Sequence, residues 1–546
     1  MVLGALADLY RQTILFVMYA LLLSLFIALG FVKWGKVIRL FIGVRKKTWL
    51  WLLVIFLVGA VLRFSVFPTY HLMYIDESLY MELASNLNHR LEPVRCVLDD
   101  SGRDEVCWLW YQKPPGWPFL ISLGFLAVGE DEDVGFFLSA LFGSLSILLI
   151  FFLCFLLFRR ERAGLWAAAL LAFFPLHIIW SHSAETNVPA VFFILLVFLA
   201  LLVYRETADI TFLFLFITIL FFSFSIRYEH ILLVFLIIIL PSAEIIAKFR
   251  PKQRTALLAG FLAFLIFLTM VLMAYSAKFF SIRIPFPLIP IFYLFNLFPF
   301  LKDVSYNYLY LALALPLIVM KTGDKKPDNV GFFALGAFLI LSVFAIFFYS
   351  SGPRMALVPS IFLILLASLS LDRMSFAPHT KTSVNLVTGL VLFILGGGLY
   401  VSYYGERYQS YPNIDFYPHY ALETESSRQI RETVPQECTL IAEQPVVIEP
   451  TPMQLIRTSA AIMNPEIVKE RLEHGGCVYY FSDAYCLKLK KYQSTSSMNP
   501  STRCSYFLKL FSTIPQLNFV LGRYNYTLFK VTGYAPLSEN NPSASG

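Results

Sequence analysis

The stretch "VGFFLSALFGSLSILLIFFLCFLLFRRER" (134–162) decides the fold. Residues 134–158 carry no charged side chain, and four charged residues follow at once. As a helix rising about 1.5 Å per residue, such a run is long enough for a hydrocarbon core of about 30 Å. It is apolar on every side, so it belongs in lipid or in a very large core. Similar runs recur along all 546 residues, which are 58% hydrophobic and only 14% charged, with a mean hydropathy of +0.68. A soluble core cannot bury so many all-round-apolar helices, and a spanning chain must satisfy its backbone within each segment. The chain therefore reads as a polytopic α-helical membrane protein. The net charge of +7 does not point to nucleic acid, because the basic residues sit in short loops between spans.

Spans are expected near 13–32, 48–67, 134–158, 163–181, 188–204, 210–225, 230–247, 255–275, 307–320, 330–349, 355–371 and 383–402, about twelve transmembrane helices in all. The basic connections "KWGKVIRLFIGVRKK" (33–47), "RRER" (159–162), "KFRPKQR" (248–254) and "KTGDKK" (321–326) fall on one side. The positive-inside rule makes that side cytoplasmic. The loops 68–133, 182–187, 276–306 and 350–354, and the tail after about 402, then lie outside. The first segment admits a second reading, a signal peptide cleaved after "ALG" (28–30). A retained helix is favoured, because its n-region carries only Arg11 against Asp8. Cleavage would also leave the basic stretch 33–47 outside. The expected organisation is an extra N-terminal helix with its basic loop (1–47), a transmembrane catalytic domain (48–402) with an external loop (68–133), and an extracytoplasmic domain (403–546).

The tail is more polar and alternates short strand-like runs with helical ones. "TLIAEQPVVI" (439–448) and "CVYYFSD" (477–483) read as strands, "FVLGRYNYTLFKVTGY" (519–534) as a hairpin, and 454–473 as helical. That pattern predicts a small C-terminal α/β domain with a disordered end. Of the seven cysteines, Cys154 lies inside a span. Cys96, Cys107, Cys438, Cys477, Cys486 and Cys504 all lie in segments assigned outside, which suggests disulfides. Cys96 with Cys107 would staple one loop, the four in the tail allow three pairings, and free thiols are the alternative.

"YIDESLYMELASNL" (74–87) places Asp76 and Glu77 just after a span. The structural reading is a surface helix whose Ile75, Leu79, Leu83 and Leu87 form one apolar stripe. Asp76 would be its N-cap and Glu77 a first-turn acid favoured by the helix dipole. Other polar residues sharpen the question. "WYQKPPGWPFL" (110–120) brings Lys113 and aromatics back to the membrane, and 117–129 reads as an interfacial helix. His177, His182 and Glu185 stand in "PLHIIWSHSAETNVP" (175–189), Arg227 and Glu229 in "SIRYEHI" (225–231), and Arg354 in "SSGPRMALVP" (350–359). Each alone is a snorkelling chain or a structural ion pair. Together they put carboxylates and guanidiniums at one membrane face, where ionisable groups are costly unless paired or functional.

The order of these motifs resembles the GT-C membrane glycosyltransferases, in particular the branch of protein O-mannosyltransferases and lipid A aminoarabinose transferases. Asp76-Glu77 with Tyr80 four residues after the aspartate, then Lys113-Pro114-Pro115 and Trp117, repeat that branch's first external loop. Pro175-Leu176-His177 with Ser183 and Glu185 resembles its second loop, and Arg227-Tyr228-Glu229 its R-x-E. "SSGPRMALVP" resembles its K/R-Y-x-x-P segment, with Met355 in place of the usual tyrosine. The resemblance covers about residues 48–370; the "WWDYG" signature of oligosaccharyltransferases is absent.

The resemblance implies inverting transfer of a sugar from a polyprenyl (dolichyl-type) phosphate carrier to a protein, lipid or glycan acceptor outside the membrane. Asp76 would be the base and Glu77 its positioning partner, with Tyr80, Lys113, Arg227, Glu229 and Arg354 around the phosphate. A divalent cation, Mg2+ or Mn2+, on Asp76 and Glu185 is left open by the resemblance, with His182 a weaker ligand candidate. No other cofactor is implied. The alternative from another class is a transporter or flippase for lipid-linked sugars. Against it, no two related halves are visible, and charge gathers at one face rather than at the midplane.

Overall fold

The computed structural model describes residues 15–64, 76–91, 94–98, 105–109, 113–227, 230, 357–374, 426–442, 453–482, 486, 500–521 and 524–534. The spans expected at 230–247 (apart from His230), 255–275, 307–320, 330–349 and 383–402 lie outside the described residues, as do Glu229 and Arg354. The chain divides into two compact units that interleave in sequence. The first takes Met1–Pro68, Tyr111–Phe119 and Phe136–Ser410; the second takes Thr69–Trp110, Leu120–Gly135 and Tyr411–Gly546.

The first unit contains α1 (Leu15–Phe41), α2 (Lys46–Phe64), most of α5 (Glu132–Phe158), α6 (Glu161–Ala172), α7 (Pro175–Trp180), α8 (Asn187–Thr207), α9 (Ile210–Ile226) and α10 (Leu357–Met374). Among the described residues, Lys46–Phe64, Asp133–Phe158 and Asn187–Thr207 are long and apolar enough to cross a membrane. These three agree with the expected spans; α9, a shorter apolar helix, and α10 are helical where spans are expected at 210–225 and 355–371. The span expected at 163–181 is corrected: it is two helices. α6 stops at Ala172, Phe174 is extended (φ −72°, ψ 110°), and Pro175 opens α7. Proline lacks the N–H needed to continue the ladder and pushes its predecessor out of the helical region, which breaks the segment there.

The connections are tight. Arg159 (φ 55°) and Ala208 (φ 51°) adopt the left-handed conformation, uncommon for residues with a Cβ, and close α5 and α8. Asp209 then caps α9, its carboxylate accepting from the Thr211 backbone N–H at 3.0 Å. Opposite charges from different helices meet at these turns. Lys36 reaches Asp209 at 2.6 Å, Arg45 reaches Glu161 at 2.9 Å, Arg160 reaches Asp372 at 2.9 Å, and Arg159 pairs with Glu206. Bonding to Lys36 holds the Asp209 carboxyl well below the usual range against the opposing effect of burial, with Thr211 and Lys33 adding to it. All these groups stand at the same ends of α1, α2, α5, α6, α8, α9 and α10. The opposite ends of α2, α6, α8 and α9 carry the residues described next. The helix ends thus sort into two sets, as the alternation of loops requires.

The second unit holds α3 (Asp76–Arg90), the antiparallel pair β1 (Val94–Leu98) and β2 (Glu105–Leu109), and most of α4 (Gly116–Val128). α3 begins at Asp76 itself, one residue earlier than an N-cap at Asp76 requires. Leu79, Leu83 and Leu87 are buried as the stripe requires, and so are Tyr80, Met81 and Ala84. The helix is therefore enclosed on more than one side, unlike one lying half-exposed on a surface. The β1–β2 register sets Cys96 directly opposite Cys107.

The tail folds into β3 (Thr439–Ala442), β4 (Gln454–Arg457), α11 (Thr458–Met463), α12 (Pro465–Glu473), β5 (Val478–Ser482), α13 (Pro500–Leu510), β6 (Phe511–Leu521) and β7 (Tyr524–Tyr534). The sheet order is β4-β3-β5-β7-β6, with β3 parallel to β4 and β5 and the β6–β7 hairpin antiparallel. The helical reading of 454–473 is corrected at its start, where "QLIR" pairs with β3 as a strand. β5 is covered on both faces: Tyr479 and Phe481 enter one core, Val478 and Tyr480 the other. Of the three pairings open to the tail cysteines, the structure forms Cys438–Cys477 and Cys486–Cys504. The first follows from topology, since the two residues precede neighbouring parallel strands and their Cα atoms are 4.9 Å apart.

Candidate functional site

The break between α6 and α7 is held by a residue that the sequence reading passed over. Arg63, near the end of α2, is fully buried. Its Nη1 donates to the carbonyls of Gly59 (2.8 Å) and Ala172 (3.1 Å), and its Nη2 to that of Leu171 (3.0 Å) and to His177 Nδ1 (2.9 Å). A guanidinium only donates, so His177 Nδ1 is the acceptor and the ring proton sits on Nε2. Arg63 thus caps the carbonyl end of α6, where a cation is favoured, and ties α7 to it. The only sequence signal was one arginine inside an otherwise apolar run.

The segment from Ser181 to Asn187 is fastened at three further points. His182 Nε2 donates to the Leu62 carbonyl at 3.3 Å. Burial pushes its imidazole down to about 4; the nearby Arg63 charge adds to this, and the Leu62 bond opposes it. The ring is neutral at physiological pH with Nε2 engaged, which matches a structural role. Trp117 is completely buried and its indole N–H donates to the Ala184 carbonyl at 2.6 Å. Gly116 is required beside it. A Cβ there would lie 2.2 Å from Ser225 Oγ and 2.7 Å from the Ser225 carbonyl oxygen, so the start of α4 rests directly on the end of α9. "KPPGW" is therefore a docking device that fixes half-buried Lys113 at this end of the unit.

The third fastening joins two predicted residues through an unpredicted one. Asn187 Nδ2 donates to Glu185 Oε2 at 2.8 Å, and Asn187 Oδ1 accepts from Arg227 Nη1 at 2.6 Å. Glu185 and Asn187 are buried and Arg227 half-buried. Lys113, His182, Glu185 and Arg227 thus belong to one end of the first unit.

In the second unit, Asp76 is the first residue of α3, and its side chain lies outside the described ones. Glu77 and Tyr80 follow in the first two turns, both buried. An acid present only to balance a helix dipole can do so from the surface, and burying a carboxylate is costly. Among the described residues no three His, Cys, Asp or Glu side chains stand close enough to hold a metal ion. The reading of Mg2+ or Mn2+ on Asp76 and Glu185 therefore has only the sequence behind it.

Residues 112–273 match the family model for dolichyl-phosphate-mannose-protein mannosyltransferase. No curated protein matches the chain. Among solved structures, ArnT from Cupriavidus metallidurans bound to undecaprenyl phosphate aligns at 14% identity with a TM-score of 0.53, covering 88% of this chain and 98% of that one. Its apo state aligns at 14% identity and a TM-score of 0.52, covering 88% and 97%. The fold is that of ArnT. The Archaeoglobus fulgidus oligosaccharyltransferase in its apo form aligns at 14% identity and a TM-score of 0.43, covering 92% of this chain and 76% of that one. The family match takes in Lys113, the Ser181–Asn187 segment and Arg227; Asp76 and Glu77 precede it.

Proposed function

We propose that this protein transfers a sugar from a polyprenyl-phosphate carrier to an acceptor hydroxyl on the extracytoplasmic side of the membrane, with inversion at the anomeric carbon. The acceptor oxygen attacks that carbon while the Asp76 carboxylate takes its proton. The bond from carbon to phosphate oxygen breaks, and its electron pair leaves on the polyprenyl phosphate. The phosphate gains one negative charge in this step, so catalysis needs cations more than an acid. Lys113, Arg227 and Arg354 supply them, Arg by a bidentate fork and Lys as a point charge, with Glu229 and Tyr80 completing the donor site. Glu77 positions Asp76 or the acceptor.

The observation that carries this reading is the Glu185–Asn187–Arg227 relay within the family-matched segment, beside the docked "KPPGW" turn. It supports a site built to hold a cation at one end of an apolar bundle. The two disulfides of the tail support an oxidising, extracytoplasmic setting for the second unit. The family match and the ArnT-like fold favour a lipid-phosphate donor.

The test is reconstitution of the full chain in liposomes with a radiolabelled polyprenyl-phosphate sugar and candidate acceptors. Label should move from the lipid to the acceptor. Label that crosses the bilayer still attached to its lipid would instead establish the flippase reading.

A further inference from the structure

Asn187 stands between two opposite charges where a direct ion pair would be the simpler arrangement. Its amide orientation is not ambiguous. A carboxylate only accepts and a guanidinium only donates, so Nδ2 must face Glu185 and Oδ1 must face Arg227, as observed at 2.8 and 2.6 Å. The residue is buried and opens α8 at the end of the bundle that carries Trp117 and Ala184. A carboxylate in direct contact would cancel most of the field of Arg227 at short range. The neutral amide instead fixes the direction of the guanidinium and passes on Glu185's orienting pull, and with the carboxylate one side chain further off it offsets that charge less than direct contact would.

We infer that Asn187 is a positioning residue for the lipid-phosphate donor: it aims Arg227 at the phosphate and keeps Glu185 out of direct contact with it. This rests on the reading above that Arg227 binds the donor phosphate. Asn187 itself touches neither donor nor acceptor in this scheme and acts entirely through Arg227.

Acting through one partner has a measurable signature. Affinity of the purified full-length protein for undecaprenyl phosphate and for dolichyl phosphate is measured for the unsubstituted chain, Asn187→Ala, Arg227→Gln and the double variant, with thermal midpoints alongside. Losing a buried hydrogen bond to a charged group predicts that Asn187→Ala weakens binding about tenfold or more. In the Arg227→Gln background the same change should add little, because the residue it aims is already gone. Asn187→Asp, almost equal in size, serves where the alanine variant fails to fold. It should weaken binding at least as much, by neutralising Arg227 and facing Glu185 with a second carboxylate.

Equal effects of Asn187→Ala with and without Arg227 would overturn the inference and leave a general packing role. So would unchanged affinity in both Asn187 variants. If the unsubstituted protein binds neither lipid phosphate, the donor reading itself fails and the inference falls with it, an outcome distinct from failure of Asn187 alone.

Discussion

Replacing Arg63 with methionine removes the cation that bridges the broken helix while keeping a long, flexible, apolar side chain. The cost follows from its partners. The Gly59 carbonyl lies one turn back in Arg63's own helix, and the Leu171 carbonyl also accepts from the Phe174 N–H at 3.2 Å. The Ala172 carbonyl and His177 Nδ1 depend on Arg63. Two buried acceptors left without a donor cost about 1–3 kcal/mol each. Part of this is offset, because a buried guanidinium with no carboxylate among its hydrogen-bond partners is itself expensive. The expected net loss is about 3 kcal/mol. Arg63→Lys should fall between, since an ammonium can serve some of the same acceptors but not all four in one plane. The assay is the thermal midpoint of the full chain in nanodiscs by tryptophan fluorescence, with sugar transfer measured in parallel. Arg63→Met should lower the midpoint by several degrees and slow transfer, because α7, which leads into the Ser181–Asn187 segment, loses its tie to α6. A methionine variant as stable as the parent would show that packing alone holds the break, and the capping argument would be wrong.

Three further outcomes are expected. His182 is held near 4 when folded against an ordinary 6.5, so the unfolded chain takes up its proton first as pH falls. Its contribution, up to about 3 kcal/mol, should be complete above pH 6.5 and drain away towards pH 4; His182→Gln should flatten that part of the stability profile, and an unchanged profile would contradict the assignment. Replacing Cys438 and Cys477 together by serine opens a loop of sequence separation 39 and should cost the tail about 3–4 kcal/mol in the chain-entropy view, read as the midpoint of its own unfolding step. Membrane-impermeant reagents applied to intact cells should label cysteines introduced in 68–133 and after 402 but not in 248–254; labelling at 248–254 would put the site on the wrong face.

The spans legible in the sequence were those whose whole length is apolar, such as 134–158, because length against bilayer thickness needs no partner to interpret. The break at Pro175 was visible as a residue and missed as a consequence, since the apolar run continues through "FFPLH" and hydropathy does not see a lost N–H. Arg63 gave little signal because its role depends on where α6 ends, more than 100 residues away. Asn187 was missed for the same reason: an asparagine at a helix start usually reads as a cap, and its partner Arg227 lies 40 residues on. Sequence order did bring Lys113, Glu185 and Arg227 into one list, because each sits beside a span end on the same side. The strand Gln454–Arg457 is four residues long and was absorbed into the helices that follow it. The tail disulfides needed the parallel pairing of β3 with β5, which no local pattern encodes.

If the acidic pair opening α3 does chemistry, Asp76→Asn abolishes it while sparing the fold. Asparagine keeps the size and caps a helix about as well as aspartate, so stability should change by less than about 1 kcal/mol. It removes the basicity, and loss of a general base typically slows a reaction by about 10²–10⁴. The Asp76→Asn variant should insert, fold and bind the lipid donor normally but transfer sugar at least about a hundredfold more slowly, with Glu77→Gln milder. Near-normal transfer by Asp76→Asn would make the pair a helix start and move the search for the base to Glu185.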